Sequence, residues 1–151
     1  MGTIGEESIL TLIKPKVLND HPIVVPPAQA NHVAIVDTGA TGHYLDTAAE
    51  THCTKVTPTS NGPSVQVANG ETIETTKRVI VPLAPELSTQ AKTGHIFDSL
   101  QSGSLISIGQ LCDDDCVALF SKYDVKIIKD GQVIILGKRN PNNGLWNILL
   151  K

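Results

Sequence analysis

The residues with the clearest chemical potential are Asp37, Thr38 and Gly39, which directly follow the apolar run at 33–36. Such a run predicts a buried strand, so the Asp37 carboxylate is expected on a tight turn at the strand's end. Gly39 allows a second stretch of backbone to approach, and neighbouring hydroxyl and N–H groups can orient the carboxylate. This arrangement suits the activation of a water molecule. The plainer interpretation is a solvated turn after a strand.

Only one such motif is present in the chain. Carboxylate-catalysed hydrolysis of a peptide bond needs two carboxylates about 3 Å apart that share one proton. The other aspartates considered lie in unlike settings, in an acidic run at 113–115 and in turn-like stretches at Asp124 and Asp130. An active enzyme would therefore take its second Asp37 from a second copy of the chain, with the two carboxylates on a two-fold axis.

Length and composition limit the remaining possibilities. The chain has 151 residues, which is enough for one domain but too few for two lobes that each carry an Asp. Hydrophobic residues make up 40% and aromatic residues 3%, so an aliphatic, β-rich core is expected. The net charge of −3, without a basic cluster, gives no support for nucleic-acid or membrane binding. The absence of a long apolar run and of a signal-peptide pattern favours a cytoplasmic protein.

The cysteines and histidines do not predict a metal site. Cys53, Cys112 and Cys116 lack the spacing of a zinc site, and reduced, structural thiols are expected. The five histidines show no ligand spacing either, so we expect no metal and no cofactor. The pair His52-Cys53 is compatible with a cysteine nucleophile, but the sequence identifies no orienting partner for it.

The pattern of apolar runs predicts a flexible leader at 1–7 and a single, mainly β domain at 8–151. Region 44–53 is expected to be irregular or a short helix capped by Asp46, region 84–95 a loop, and a short helix is expected after Gly109. Because no helix is long enough for a crossover unit, the sheet should be mainly antiparallel. Strands are predicted at 9–13, 22–25, 32–36, 79–83, 105–108, 117–120, 125–128, 133–136 and 145–150.

The stretch 65–75 has the alternation of a β-hairpin around Asn69-Gly70, a dipeptide that tolerates the positive φ angles of a tight turn. It is a candidate for a flap that closes over a substrate. An ordinary surface hairpin is the alternative.

Taken in order, these pieces resemble the retropepsins, the dimeric aspartic proteases of retroviruses and retrotransposons. The resemblance covers the chain from about residue 8 and rests on two strands, 37–40, the hairpin at 65–81 and the apolar-Gly turn at 106–109. It implies a retropepsin-like closed antiparallel β-barrel with a flap hairpin and one short C-terminal helix, acting as a homodimer on peptides or polyproteins. It also implies that Asp37, Thr38 and Gly39 are catalytic, and that substrate is contacted by Ala40, Val67, Ala68, Asn69, Gly70, Glu71 and Ile108.

The segments at 105–114, 117–120, 137–140 and 144–146 are similar, more narrowly, to the protease region of copia-type retrotransposon polyproteins. This resemblance implies processing of that polyprotein in the cytoplasm, including within virus-like particles. Copia-type proteases commonly have Ser where this chain has Thr38, and either hydroxyl can brace the turn.

One departure from the retroviral pattern and one apolar segment bear on the dimer. Many retroviral members carry an Asp–Arg ion pair where this chain has Thr41 and Gln110, so a neutral hydrogen bond between these two is expected instead. The apolar segment 145–150, with Trp146 as an anchor, is expected either to join a dimer interface or to close the monomer's own core. The rival functions are a catalytically silent peptide-binding or assembly domain and a cellular retropepsin-like domain acting on host proteins.

Overall fold

The computed structural model describes residues 32–150, and within them the protein is mainly β. The leader at 1–7 and the strands predicted at 9–13 and 22–25 lie outside the described residues. The strands are β1 His32–Asp37, β2 His43–Leu45, β3 Thr54–Pro58, β4 Ser64–Gln66, β5 Thr72–Glu74, β6 Lys77–Ile80, β7 Thr93–Ile96, β8 Ser104–Ser107, β9 Val117–Phe120, β10 Asp124–Lys129, β11 Gln132–Arg139 and β12 Trp146–Leu150. The helices are a 3₁₀ helix at Thr47–His52, α1 Thr89–Lys92 and α2 Ile108–Cys112.

Ten of these strands form one mixed sheet in the order β3-β6-β7-β2-β8-β1-β12-β11-β10-β9, and β4 pairs only with β5. The pairs β1–β8 and β2–β7 are parallel, and the other pairs are antiparallel. The sheet is thus mainly antiparallel, as predicted, but its order ends at β3 and at β9, so the expected closed barrel is not found within residues 32–150. The parallel pair β1–β8 was not expected, because the connection between these strands is built from short strands and loops and needs no long helix.

Strand β1 runs through the middle of this sheet, between β12 and β8. Ala34 and Val36 are buried, whereas Val33 and Ile35 on the other face are more accessible, which is the two-residue alternation of a strand. The parallel register places Asp37 opposite Ser107, the last residue of β8. The end of β1 is thus fixed by β8, whereas β12 pairs with β1 only as far as Ile35.

The core is aliphatic, as the composition predicted. The main cluster crosses the sheet and includes Val36, Leu45, Ile106 and Ile148. A second cluster consists of Tyr44, Phe97 and Leu100, with Ala40, Val65 and Ile73 packed against it. We call this second group of six residues the aromatic cluster. It joins the turn after Asp37 to the β4–β5 hairpin.

Strand β12 closes the chain's own sheet. It pairs with β1 from His32↔Leu150 onward and with β11 at Arg139↔Trp146, and Ile148 and Leu150 are buried. Trp146 packs edge-on against Phe120, with ring centroids 5.2 Å apart, and its Nε1 donates to the Ser121 carbonyl. Segment 145–150 therefore closes the monomer's own core, as one of the two expectations had it, and its part in a dimer interface stays a prediction.

The turns between the last strands agree with the sequence. Asp130 and Gly131, which join β10 to β11, both have positive φ (52° and 77°), as a tight hairpin turn requires.

The predictions for two earlier regions had different outcomes. Asp46 caps the 3₁₀ helix, as expected, by accepting the Ala49 N–H at 3.1 Å. The predicted loop at 84–95 was wrong in part, because it contains α1 and most of β7.

Candidate active site

The Asp37 carboxylate is held by the turn that follows it. It lies half-buried at the end of β1, and its Oδ1 accepts the Gly39 N–H at 2.7 Å. A Cβ at position 39 would lie 3.3 Å from the same oxygen, so glycine keeps the turn tight. Asp37 makes no ion pair with any other described residue. The carboxylate is oriented by the backbone and remains open to solvent, as a group that activates water must be.

Thr38 and Ala40 flank this carboxylate in different ways. Thr38 is exposed, and its hydroxyl forms no hydrogen bond with another residue in the 32–150 segment. Ala40 is half-buried in the aromatic cluster, which anchors the far end of the turn. A bracing role for Thr38 would therefore need a partner outside the part of the chain described.

Ser107 ties this turn to helix α2. Its Oγ donates to the Ala40 carbonyl at 2.7 Å and accepts the Gln110 N–H at 3.0 Å, which makes Ser107 the N-cap of α2. Ile108, a predicted substrate contact, follows directly and is buried in the main core at 7% exposure. Its side chain is therefore part of the main core and largely withdrawn from solvent.

His43 is a buried residue of this site that the sequence did not single out. Its Nδ1 accepts the Ser107 N–H at 3.0 Å, and its Nε2 lies 2.7 Å from the Ala91 carbonyl. A backbone N–H can only donate and a carbonyl can only accept, so the ring is neutral with its proton on Nε2. Burial lowers the pKa of His43 to about 4, although the hydrogen bond to Ala91 opposes this shift.

Gln110 braces the same region, but not through Thr41 as expected. Its Oε1 accepts the His43 N–H at 3.1 Å, and its Nε2 donates to the Thr93 carbonyl at 2.7 Å and to the Gln90 carbonyl at 2.9 Å. Thr41 instead bonds to the Tyr44 hydroxyl. The predicted Thr41–Gln110 bond was wrong because Gln110 bonds to three backbone groups and Thr41 bonds to Tyr44 instead.

The β4–β5 hairpin lies next to the Asp37 turn. Val65 and Ile73, one from each strand, pack into the aromatic cluster that also holds Ala40. The predicted flap residues form the loop beyond them: Val67 is half-buried, and Ala68, Asn69, Gly70 and Glu71 are exposed. The hairpin is therefore fixed at its base and accessible at its tip.

The tip of this hairpin differs in detail from the predicted turn. Gly70 alone has a positive φ (90°), and its N–H donates to the Val67 carbonyl at 2.9 Å. Asn69 instead uses its side chain, because its Oδ1 accepts the Glu71 N–H at 2.9 Å. The loop is a β-turn followed by a left-handed glycine, a common alternative to the two-residue turn.

A groove of about 620 Å³ lies behind the Asp37 turn. Its lining includes Thr41, His43, His95, Gln110 and Asp113, but Asp37 is not part of it. Two of its polar side chains, His43 and Gln110, belong to the hydrogen-bond network behind this turn. The groove is therefore bounded by this network, and the Asp37 carboxylate does not line it.

Other chemistries find little support among the described residues. Cys53 is half-buried, and burial, together with the nearby Glu50 charge, raises the pKa of its thiol to about 11, which disfavours a thiolate nucleophile. The three cysteines form no disulfide. No group of three potential metal ligands occurs within residues 32–150, and no helix there is long and apolar enough to cross a membrane.

Comparison of the chain with family models, with characterised proteins and with solved structures gives no significant match.

Proposed function

We propose that this protein is an aspartic endopeptidase with a retropepsin-like fold that acts as a homodimer. The observation that carries the proposal is the Asp37 carboxylate, which is oriented by Gly39 at the end of a central strand and remains open to solvent. The adjoining hairpin supports it, because a strand-like edge beside a reactive carboxylate can bind an extended peptide through backbone hydrogen bonds.

The mechanism divides the chemistry between two copies of Asp37. One carboxylate, ionised, takes a proton from water as a general base. The other, protonated, donates a hydrogen bond to the scissile carbonyl, and the two share one proton because like charges this close cannot both ionise.

The resemblance to copia-type polyproteins suggests polyprotein processing as the biological role, with a cellular substrate as the alternative.

A peptide-binding or assembly domain without catalysis is the second candidate. The pairing of β12 within its own chain favours it, since this strand is then not free to form an intermolecular sheet. Both candidates use the hairpin to hold an extended peptide, and they differ in what Asp37 does and in whether the site needs a second copy of the chain.

Substitution of Asp37 by Asn separates the two candidates. Denatured casein and extended peptides with apolar residues serve as substrates, and cleavage is followed by mass spectrometry. Asp98→Asn is the matched control, because Asp98 is also an exposed aspartate after a buried residue, Phe97. We expect cleavage by the wild type and by Asp98→Asn, and none by Asp37→Asn. Cleavage that survives in Asp37→Asn would refute the proposal.

A further inference from the structure

The backbone around His43 admits only one state of its ring. Ser107 presents an N–H to Nδ1, and Ala91 presents a carbonyl to Nε2, so a proton on Nδ1 would set two donors against each other. The ring is buried, with 1% of its surface exposed, and no water can take over either contact without a rearrangement. The neutral imidazole is thus built into the fold.

A short path of contacts leads from this ring to the carboxylate. His43 holds the backbone of Ser107, which lies opposite Asp37 in the parallel register of β8 and β1. The Ser107 hydroxyl then holds the Ala40 carbonyl, on the turn that carries Asp37. Every step is a hydrogen bond of 3.0 Å or less or a strand pairing, so a displacement of Ser107 must reach the turn.

The groups around His43 do not offer a charged partner for a protonated ring. Its hydrogen bonds go to Ala91 of α1, Ser107 of β8 and Gln110 of α2, all through neutral groups. The ionisable side chains that line the adjoining groove are Tyr44, His95, Asp113 and Asp114. None of them forms a hydrogen bond or an ion pair with the His43 ring, and Asp114 is already paired with Lys129 at 2.8 Å. A proton on His43 would therefore be a buried charge without an ion-pair partner in contact with it.

We propose that His43 is a positioning residue, which as a neutral imidazole fixes Ser107 and through it the Asp37 turn, and that protonation of the ring releases this turn. The catalytic part of this proposal rests on the proposed function, whereas the structural coupling between His43 and the Asp37 turn does not depend on it. The acid limit of activity would then reflect two events, the titration of the Asp37 pair and the loss of its support.

Nuclear magnetic resonance of the full chain tests the coupling without any activity. The experiment uses Asp37→Asn, so that Asp37 itself no longer titrates, and follows the His43 ring nitrogens and the Gly39 and Ser107 amides during acidification. We expect Nε2 to carry the proton at neutral pH, and both amides to shift with the midpoint of the ring. In the double variant Asp37→Asn/His43→Asn these shifts should disappear. Amides that shift equally in the double variant, or that stay constant while the ring titrates, would overturn the proposal.

Kinetics of two His43 variants then test the positioning role. An Asn at position 43 can place its oxygen near the Nδ1 site and accept the Ser107 N–H, whereas a Gln can place its amide nitrogen near the Nε2 site and serve Ala91 only. At pH 6 we expect His43→Asn to keep kcat within about threefold of the wild type and His43→Gln to lose about tenfold, with KM unchanged. Equal losses in the two variants would contradict a role through Ser107. His95→Asn, in the same groove, is the control and should leave the acid side of the pH–rate profile unchanged.

The two proposals can fail separately. Failure of Asp37→Asn to abolish cleavage would refute the proposed function alone, because the resonance experiment does not depend on activity.

Discussion

Asp37 and Ser107 stand opposite each other at the ends of two parallel strands, and the Ser107 hydroxyl reaches across to the Ala40 carbonyl on the turn that Asp37 begins. One serine therefore caps helix α2, secures the turn and receives support from His43. The exposed carboxylate depends on a buried polar network behind it. Residues of this network can therefore be mutated without changing the Asp37 carboxylate itself.

Replacement of Ser107 by Ala should lower both stability and activity. The variant loses the cap of α2 and leaves the Ala40 carbonyl without its partner, at a cost of about 1–2 kcal/mol in the free energy of unfolding. Ser88→Ala is the matched control, because Ser88 caps α1 in the same way, through the Ala91 N–H at 3.1 Å, but makes no contact with the Asp37 turn. Urea unfolding should show a loss of stability in both variants, larger in Ser107→Ala, whereas kcat should fall only in Ser107→Ala. An equal fall in kcat would mean that stability alone governs activity.

Acidification should destabilise the protein through His43. Its pKa is about 4 in the folded protein and 6.5 in the reference state, so the unfolded chain binds the proton more tightly. The contribution of the neutral His43 ring to the free energy of unfolding is complete above pH 6.5, falls as the pH drops toward 4, and is lost below that value. The loss is on the order of 3 kcal/mol.

Urea unfolding between pH 7 and pH 4 measures this effect. The free energy of unfolding should change clearly less with pH in His43→Asn, because the Asn side chain does not titrate. Asp114, whose pKa is lowered to about 2 chiefly by its hydrogen bond with Lys129, adds acid sensitivity to both proteins and cancels in the comparison. Parallel pH dependences in the wild type and in His43→Asn would show that the ring does not titrate as expected.

The sequence predicted those parts of the fold that are encoded locally. The β10–β11 hairpin follows from Asp130-Gly131 between two apolar runs, and β9 was predicted with its observed bounds. The position of Asp37 after an apolar strand was likewise a local signal. By contrast, β7 contains Gly94 and His95, has little strand propensity, and forms because β2 and β6 pair with it on either side.

The support behind Asp37 could not be predicted for the same reason. The partners of His43 lie 48 and 64 residues further along the chain, and nothing near position 43 indicates them. The only available signal was a histidine and a glutamine next to apolar runs, which often marks a buried polar group. The assumption that Gln110 would bond to Thr41 failed because the amide found closer backbone partners.

The hairpin tip offers a test of the flap. Gly70→Ala forces a residue with a Cβ into φ 90°, which should cost about 1 kcal/mol locally and disturb the loop. Gly131→Ala is the matched control, since Gly131 also has a positive φ in a hairpin turn with open space around it. With a peptide substrate we expect KM to rise in Gly70→Ala and to stay constant in Gly131→Ala. A rise in both, or in neither, would argue against a role of this hairpin in substrate binding.

The last prediction concerns the shared pair of carboxylates. If each active site takes one Asp37 from each of two chains, an inactive chain should inhibit an active one by forming mixed dimers. Added Asp37→Asn at an equal concentration should lower the wild-type rate to about half under random exchange, and a large excess should abolish it, by mass action. Asp98→Asn keeps Asp37 and its activity, so its addition should raise the total rate, which shows that added protein does not itself inhibit. The specific activity of the wild type should also fall on dilution, with the change in mass followed by sedimentation. The mixing is done at concentrations where sedimentation shows reversible association, and the chains are given time to exchange. A wild-type rate that a large excess of Asp37→Asn leaves unchanged under these conditions would refute a shared site.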